Sequence, residues 1–187
     1  MHYLPELDSP LTDGQVSLRL ASEWDIPDIL IAFQDDLELQ VRLGLERPPS
    51  GAELGRAIER GPQERAAGVR AELTIVEPGS DDCRGRLDVH DIDWGHQRAA
   101  LGIWVAPQAR NRGLARGALA LAGGWLFDAA GLQRLELLTD PDNGPMRRAA
   151  RAAGFLEEGV RRAYERQRGR RVDLVCLSLL PGDLPRG

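Results

Sequence analysis

The clearest chemical signal in this sequence is a short loop between an apolar segment and a helix-like segment. The loop reads RNRGLA over residues 110–115, and it follows the apolar segment 101–105 and Pro107. The first N–H groups of a helix have no intrahelical acceptor and carry partial positive charge. Gly113 allows a close backbone approach, and two arginines add formal charge. The loop therefore predicts an anion site, although a plain turn with solvated arginines has the same composition.

A second group of residues could move protons. His90, Asp91, Asp93 and His96 precede the apolar segment 101–105, and histidine is the side chain best suited to proton transfer near neutral pH. We take Asp93 and His96 as the first candidates for a general base, acting directly or through a water molecule. Local hydrogen bonding in a turn explains the same residues without any catalytic role.

Hydrophobic periodicity predicts the elements that hold these residues. Residues 1–14 read as an irregular lead-in, and the segment 37–49 is ambiguous. Ser22 and Ser50 are candidate N-caps of two helices, the second ending at Gly61-Pro62. Further helices follow the loop up to Gly131 and run from Asn143-Gly144 to Ala153-Gly154. Strands are predicted from alternation at 16–20, 71–77, 84–91, 101–105, 135–139, 160–166 and 172–179.

Composition narrows the class of protein. The chain has 187 residues, 42% hydrophobic and 28% charged, which suits one domain over residues 1–187. No apolar run is long enough for a membrane span, and the first residues lack a secretory signal pattern. Two cysteines cannot form a disulfide framework, so we expect a reducing, cytoplasmic setting.

The basic residues are unusual, because all 24 are arginine. The absence of lysine excludes a Walker P-loop and a Schiff-base lysine. Residues 1–96 carry a net charge of −11 and residues 97–187 a net charge of +6. A polyanionic ligand would suit the basic half and a cationic amine the acidic half, although ordinary surface charge has the same pattern.

Several ordered motifs resemble the GNAT superfamily of acyl-CoA-dependent N-acetyltransferases. Arg110-x-x-Gly113-x-Ala115 resembles the family's Arg/Gln-x-x-Gly-x-Gly/Ala motif. The segment 134–143 resembles the next strand with its family asparagine, and 152–159 resembles the Gly-Phe segment. The opening strand 16–20 and the hairpin 169–173 extend the similarity from about Val16 to Leu180. Within the family, the sequence most resembles the ribosomal-protein N-terminal acetyltransferases (RimJ/RimL-like).

The resemblance implies a fold and a cofactor. The fold is α+β (α/β), with a mixed central sheet of about seven strands, largely antiparallel with a splayed parallel central pair, flanked by about four helices. The cofactor is acetyl-CoA. Its pantetheine arm would pair with the central strand, its pyrophosphate would rest on the loop amides, and no metal is expected. The implied cofactor-binding residues are Ile103, Trp104, Val105, Arg110, Asn111, Arg112, Gly113, Leu114, Ala115 and Asn143.

The side chains that relatives use for proton transfer differ here. Many relatives have Glu two residues before the central strand's glycine, where this chain has Ala100. Others have Ser three residues after the family asparagine or Tyr four residues before the glycine of Gly-Phe, and here these are Met146 and Ala150. Asp93 and His96 are therefore substitute bases, and Tyr164 is a candidate proton donor to the leaving thiolate. An aromatic side chain on the closing hairpin is the structural alternative for Tyr164.

Three functions fit these observations. The first is an acetyl-CoA-dependent N-acyltransferase that acts on a primary amine, either a protein N-terminus, a lysine or a small molecule. The second is a non-catalytic acyl-CoA-binding module. The third is a nucleic-acid binder that uses the arginines between residues 147 and 171, but the chain is acidic overall and has no nucleic-acid-binding motif. Under the first interpretation we expect no nucleic-acid or membrane partner, and a homodimer is left open.

Overall fold

An eight-stranded mixed sheet organises residues 3–185, which are the part of the chain described by the computed structural model. The strand order is β1-β2-β3-β4-β5-β6-β8-β7. Only β5 and β6 pair in parallel among the described strands, and the other neighbours are antiparallel. The strands are β1 Leu11–Thr12, β2 Ser17–Leu20, β3 Ala71–Val76, β4 Gly85–Asp93, β5 Arg98–Val105, β6 Arg134–Thr139, β7 Leu156–Gln167 and β8 Arg170–Leu179.

Five α-helices accompany the sheet within the described residues. They are α1 Ile26–Asp35, α2 Leu39–Arg42, α3 Gly51–Ala66, α4 Leu114–Asp128 and α5 Gly144–Ala152. The predicted cap Ser50 is confirmed, because its hydroxyl accepts the Glu53 N–H while the Glu53 carboxylate accepts the Ser50 N–H at 2.8 Å. In the part of the chain described, no helix combines the length and apolar character needed to cross a membrane.

The prediction of a mixed sheet with a parallel central pair is confirmed, and two details differ. Part of the expected lead-in forms β1, which pairs with β2 and raises the strand number from seven to eight. The ambiguous segment 37–49 contains the short helix α2. Residues 1–2 and 186–187 of the predicted single domain lie outside the described residues.

The predicted end of the second helix at Gly61-Pro62 is wrong, because α3 continues to Ala66 with Pro62 inside it. Proline removes only its own N–H from the helical hydrogen bonds. The bonding continues afterwards, since the Ala67 N–H donates to Gln63 O at 2.9 Å. One missing donor is therefore tolerated in this exposed helix.

The two faces of the sheet carry separate apolar clusters. On one face, α4 packs against the sheet with fully buried Ala118, Leu119 and Leu126. Gly123 allows this approach, because a Cβ atom there would lie 2.9 Å from Leu179 Cδ2. The opposite face has a smaller cluster around Trp104 that packs against α1 and α3. The rest of this second face is left without apolar cover and forms the floor of a cleft.

Candidate active site

The cleft begins where β5 and β6 separate. Their pairing ends at Leu101↔Leu137. Beyond this point β6 pairs only with β8 among the described strands, while β5 continues beside β4 to Val105↔Gly85. One edge of Gly102–Val105 is therefore unpaired and faces a cleft of about 1250 Å³. Such an edge can accept an extended ligand as an added strand, and it confirms the predicted splayed pair.

The loop before α4 presents a row of free backbone N–H groups. No acceptor for the N–H groups of residues 111–116 occurs within the described residues 3–185, whereas the Arg110 N–H donates to Pro107 O at 3.4 Å. Asn111 and Gly113 adopt left-handed φ angles of 61° and 79°. A Cβ atom at Gly113 would meet no atom within 4 Å, so the space in front of the loop is open. This arrangement fits a phosphate or diphosphate.

The two loop arginines do not point their charge into this open space. Arg110 pairs with Asp36, which follows α1, and its Nε donates to Val105 O at 3.1 Å. Arg112 pairs with Glu77. Burial opposes ionisation of Asp36, but the hydrogen bond and charge of Arg110 outweigh it and lower the pKa of Asp36. In this arrangement both guanidinium groups are paired with carboxylates, whereas the sequence led us to expect free guanidinium groups beside the loop amides.

The structure brings nearly all predicted cofactor residues to one surface. The exception is Arg112, which does not line the cleft. Trp104 packs its ring against Phe33, with centroids 6.0 Å apart. Asn143 caps α5, because its Oδ1 accepts the Met146 N–H at 3.3 Å and its Nδ2 donates to Thr139 Oγ1 at 3.0 Å. The predicted residues that line the cleft are Ile103, Trp104, Val105, Arg110, Asn111, Gly113, Leu114, Ala115 and Asn143.

Asp93 is the last residue of β4, His96 lies in the turn that follows, and neither lines the cleft. Asp93 accepts the His96 backbone N–H at 3.0 Å and contacts the His96 ring Nδ1 at 2.9 Å. These hydrogen bonds lower the pKa of Asp93, and the His96 side chain is 80% exposed. The register of β4 shifts between His90 and Asp93, so that Asp93 pairs with Arg98 on β5. Their position does not support a role as general base and matches the alternative of a locally bonded turn.

Tyr164 does line the cleft. It follows Ala163, whose φ is 49°, within a register shift of β7 between Arg161 and Glu165. Bulges of this kind redirect side chains. The Tyr164 hydroxyl accepts a hydrogen bond from Arg161 at 3.1 Å, and the Arg161 guanidinium carbon lies 5.0 Å from the ring centre. Its predicted role as a proton donor stays a prediction.

Paired charges form the floor of the cleft, and the sequence analysis did not identify them. On one side of β5, Arg70 binds both oxygens of Asp88 at 2.8 and 2.9 Å. On the other side, Glu136 accepts from Arg134 at 2.9 Å and from Arg161 at 2.6 Å. The only signal in the sequence was the alternation of charged and apolar residues along these strands. That pattern is typical of any solvated sheet face.

Comparison with known proteins gives a consistent result. The family model of the Acetyltransferase (GNAT) domain matches residues 15–156. Bacillus subtilis "Uncharacterized N-acetyltransferase YoaA" is 26% identical over 172 residues, covering 91% of this chain and 96% of that protein. Bacillus licheniformis "Uncharacterized N-acetyltransferase p20" is 27% identical over 113 residues. That match covers 60% of this chain and 64% of the p20 chain, so it spans just under two thirds of the relative.

Among solved structures, Mycobacterium smegmatis RimJ in complex with CoA-disulfide has a TM-score of 0.82 at 24% identity. The superposition covers 96% of this chain and 89% of RimJ. At this level of identity the likeness shows a shared fold and leaves the acceptor undetermined.

Proposed function

Because this chain belongs to the GNAT acetyltransferase family and is an N-acetyltransferase, we propose that it moves an acetyl group from acetyl-CoA to a primary amine within a ternary complex. The acceptor class is a protein N-terminus, a lysine side chain or a small amine. The observation that carries the proposal is the continuous surface formed by the free N–H groups of residues 111–116 and the unpaired edge of β5.

Each part of this surface has a distinct task in the proposal. The loop amides bind the diphosphate of acetyl-CoA, with the help of the positive end of α4. The exposed edge of β5 holds the pantetheine arm in the manner of an added strand. Acetyl-CoA supplies an activated carbonyl as its thioester, and an N–H group near Gly102 stabilises the negative charge that develops on the carbonyl oxygen.

The side chains of the loop contribute less than the sequence suggested. Arg110 holds the loop against Asp36, so it positions the amides instead of contacting phosphate. Asn143 likewise orients α5 beside the cleft. Both roles depend on geometry and not on free charge. This explains why the cradle can be complete although Arg110 and Arg112 are paired.

The setting and acceptor are also part of the proposal. Both cysteines are buried and unpaired, which fits an enzyme that works in a reducing compartment such as the cytoplasm. Structural similarity to RimJ and to a ribosomal L7/L12 alpha-N-protein acetyltransferase supports a protein N-terminus as the first acceptor to try. Acceptor choice depends on α1, α2 and the segment that leads to α3, which form the wall opposite β6.

The experiment combines a binding measurement with a turnover measurement. Acetyl-CoA should raise the melting temperature by mass action on the folded state. Peptides with different N-terminal residues, lysine peptides, polyamines and small amines are then tested for thiol release and for a mass increase of one acetyl group. Stabilisation without thiol release across the panel would favour the non-catalytic binding module. If acetyl-CoA and CoA both leave the melting temperature unchanged, the proposed cradle is wrong.

A further inference from the structure

The position of the missing family glutamate is flanked by two titratable side chains. Ala100 lies on the cleft face of β5, directly opposite His90 on β4 and beside Glu136 on β6. Residues paired in register point to the same face of a sheet. His90, Ala100 and Glu136 therefore form one row across the cleft floor, and all three line the cleft.

Within this row the His90 imidazole leans toward the point where the sheet opens. A Cβ atom at Gly102 would lie 3.7 Å from His90 Nε2 and 4.0 Å from His90 Cδ2. Gly102 is the first residue of β5 beyond its last pair with β6. The other ring nitrogen, Nδ1, lies 3.1 Å from Asp91 Oδ2. The His90 side chain is 37% exposed, so an amine substrate can reach it.

The neighbouring carboxylates are held by arginines. Both oxygens of Asp88 accept hydrogen bonds from Arg70, although burial raises the pKa of Asp88. Glu136 is held by two arginines, Arg134 and Arg161, which lower its pKa although burial opposes them. A carboxylate in this state is a weak base. The imidazole of His90 has no arginine partner among the described contacts and is the side-chain type best matched to proton transfer near neutral pH.

We propose that His90 is the general base, and this inference rests on the proposed function. The amine nitrogen of the acceptor bonds to the thioester carbonyl carbon, and His90 Nε2 takes the proton that this nitrogen loses. The carbon–sulfur bond then breaks, and the thiolate leaves and takes a proton from solvent. The Asp91 carboxylate accepts a hydrogen bond from His90 Nδ1–H, which fixes the tautomer with a free Nε2. His90 thereby replaces the carboxylate that relatives carry at the position of Ala100.

The test compares His90→Gln with the wild type in three measurements. Loss of a general base lowers kcat/KM by about 100-fold or more, while the dissociation constant for CoA, measured by calorimetry, stays within twofold. The acidic limb of the kcat/KM–pH profile disappears. In the wild type with CoA bound, the pKa of the His90 ring measured by NMR matches that limb. The charged groups near His90 on its own and the neighbouring strands are Asp88, Asp91, Arg70, Arg98 and Glu136.

Three further variants sharpen the result. The double variant His90→Gln/Ala100→Glu places a carboxylate on β5 directly opposite residue 90. A kcat/KM at least tenfold higher than that of His90→Gln would support the inference. Wild-type turnover in His90→Gln would overturn the inference. It would also be overturned if His90→Gln retained the acidic limb of the kcat/KM–pH profile while Asp88→Asn or His96→Gln lost it. The proposed function fails separately, if the wild type acetylates no amine in the panel.

Discussion

Substitution of Gly113 by alanine tests the diphosphate cradle most directly. Gly113 has a φ of 79° and immediately precedes α4. For alanine this conformation costs roughly 1–2 kcal/mol, and the stiffer unfolded chain returns about 0.4–1 kcal/mol. The net loss of folding free energy is therefore about 1 kcal/mol, which lowers the melting temperature by roughly 2–4 °C in a protein of this size.

The effect on CoA binding should be larger than the effect on stability. If the loop keeps its conformation, the added methyl group enters open space at the loop, because no atom beyond the neighbouring residues lies within 4 Å of it. If the loop relaxes instead, the neighbouring N–H groups turn away from that space. Loss of one hydrogen bond to a charged group costs about 1.5–3 kcal/mol of binding free energy. This loss raises the dissociation constant for CoA roughly 10- to 100-fold.

Gly124→Ala in the same helix is the matched control. A Cβ atom at Gly124 meets nothing within 4 Å, and the residue lies inside α4. Alanine should therefore stabilise the helix by about 1 kcal/mol and leave the dissociation constant for CoA unchanged. Calorimetric titration with CoA and a thermal melt of each variant are sufficient. A Gly113→Ala variant that binds CoA as tightly as the wild type would refute the assignment of the loop amides to the diphosphate.

Three other predictions concern the packing and charges of the fold. Gly117→Ala places a Cβ atom 2.3 Å from Val16 Cγ1. This overpacking should lower the free energy of unfolding by about 1–3 kcal/mol, which a thermal melt detects as a lower melting temperature. Hydrogen bonds from Arg134 and, to a lesser degree, from Ser178 lower the pKa of Glu158 to about 2. The pKa of Glu158 in the folded state is below its unfolded value of about 4.3. The contribution of ionised Glu158 to folding stability is therefore present above pH 4.3 and is lost as the pH falls toward 2. The decline of melting temperature between these pH values should be shallower in Glu158→Gln, and equal slopes would contradict this. Burial raises the pKa of Cys83 to about 12, so a thiol reagent at pH 8 should label this residue only after unfolding, as peptide mass spectrometry can show.

The sequence alone predicted the local structure of the strand and loop around the proposed cofactor site. A short apolar run predicted the central strand, and the glycine before α4 predicted a turn that only a flexible backbone adopts easily. Both features depend on residues adjacent in the chain. The free N–H groups follow from the start of a helix at Leu114, so no distant contact was needed to anticipate them.

The acid–base half of the site depended on the tertiary structure. His90 and Ala100 are ten positions apart, and only the pairing of β4 with β5 places them side by side. The register shift after His90 pairs Asp93 with Arg98, and no local pattern reveals such a shift. In the same way, the pairing of Arg110 with Asp36 joins residues that are 74 positions apart. Local sequence thus predicted a glycine turn with free main-chain N–H groups before α4, whereas strand register, a property of the assembled sheet, placed His90 beside Ala100.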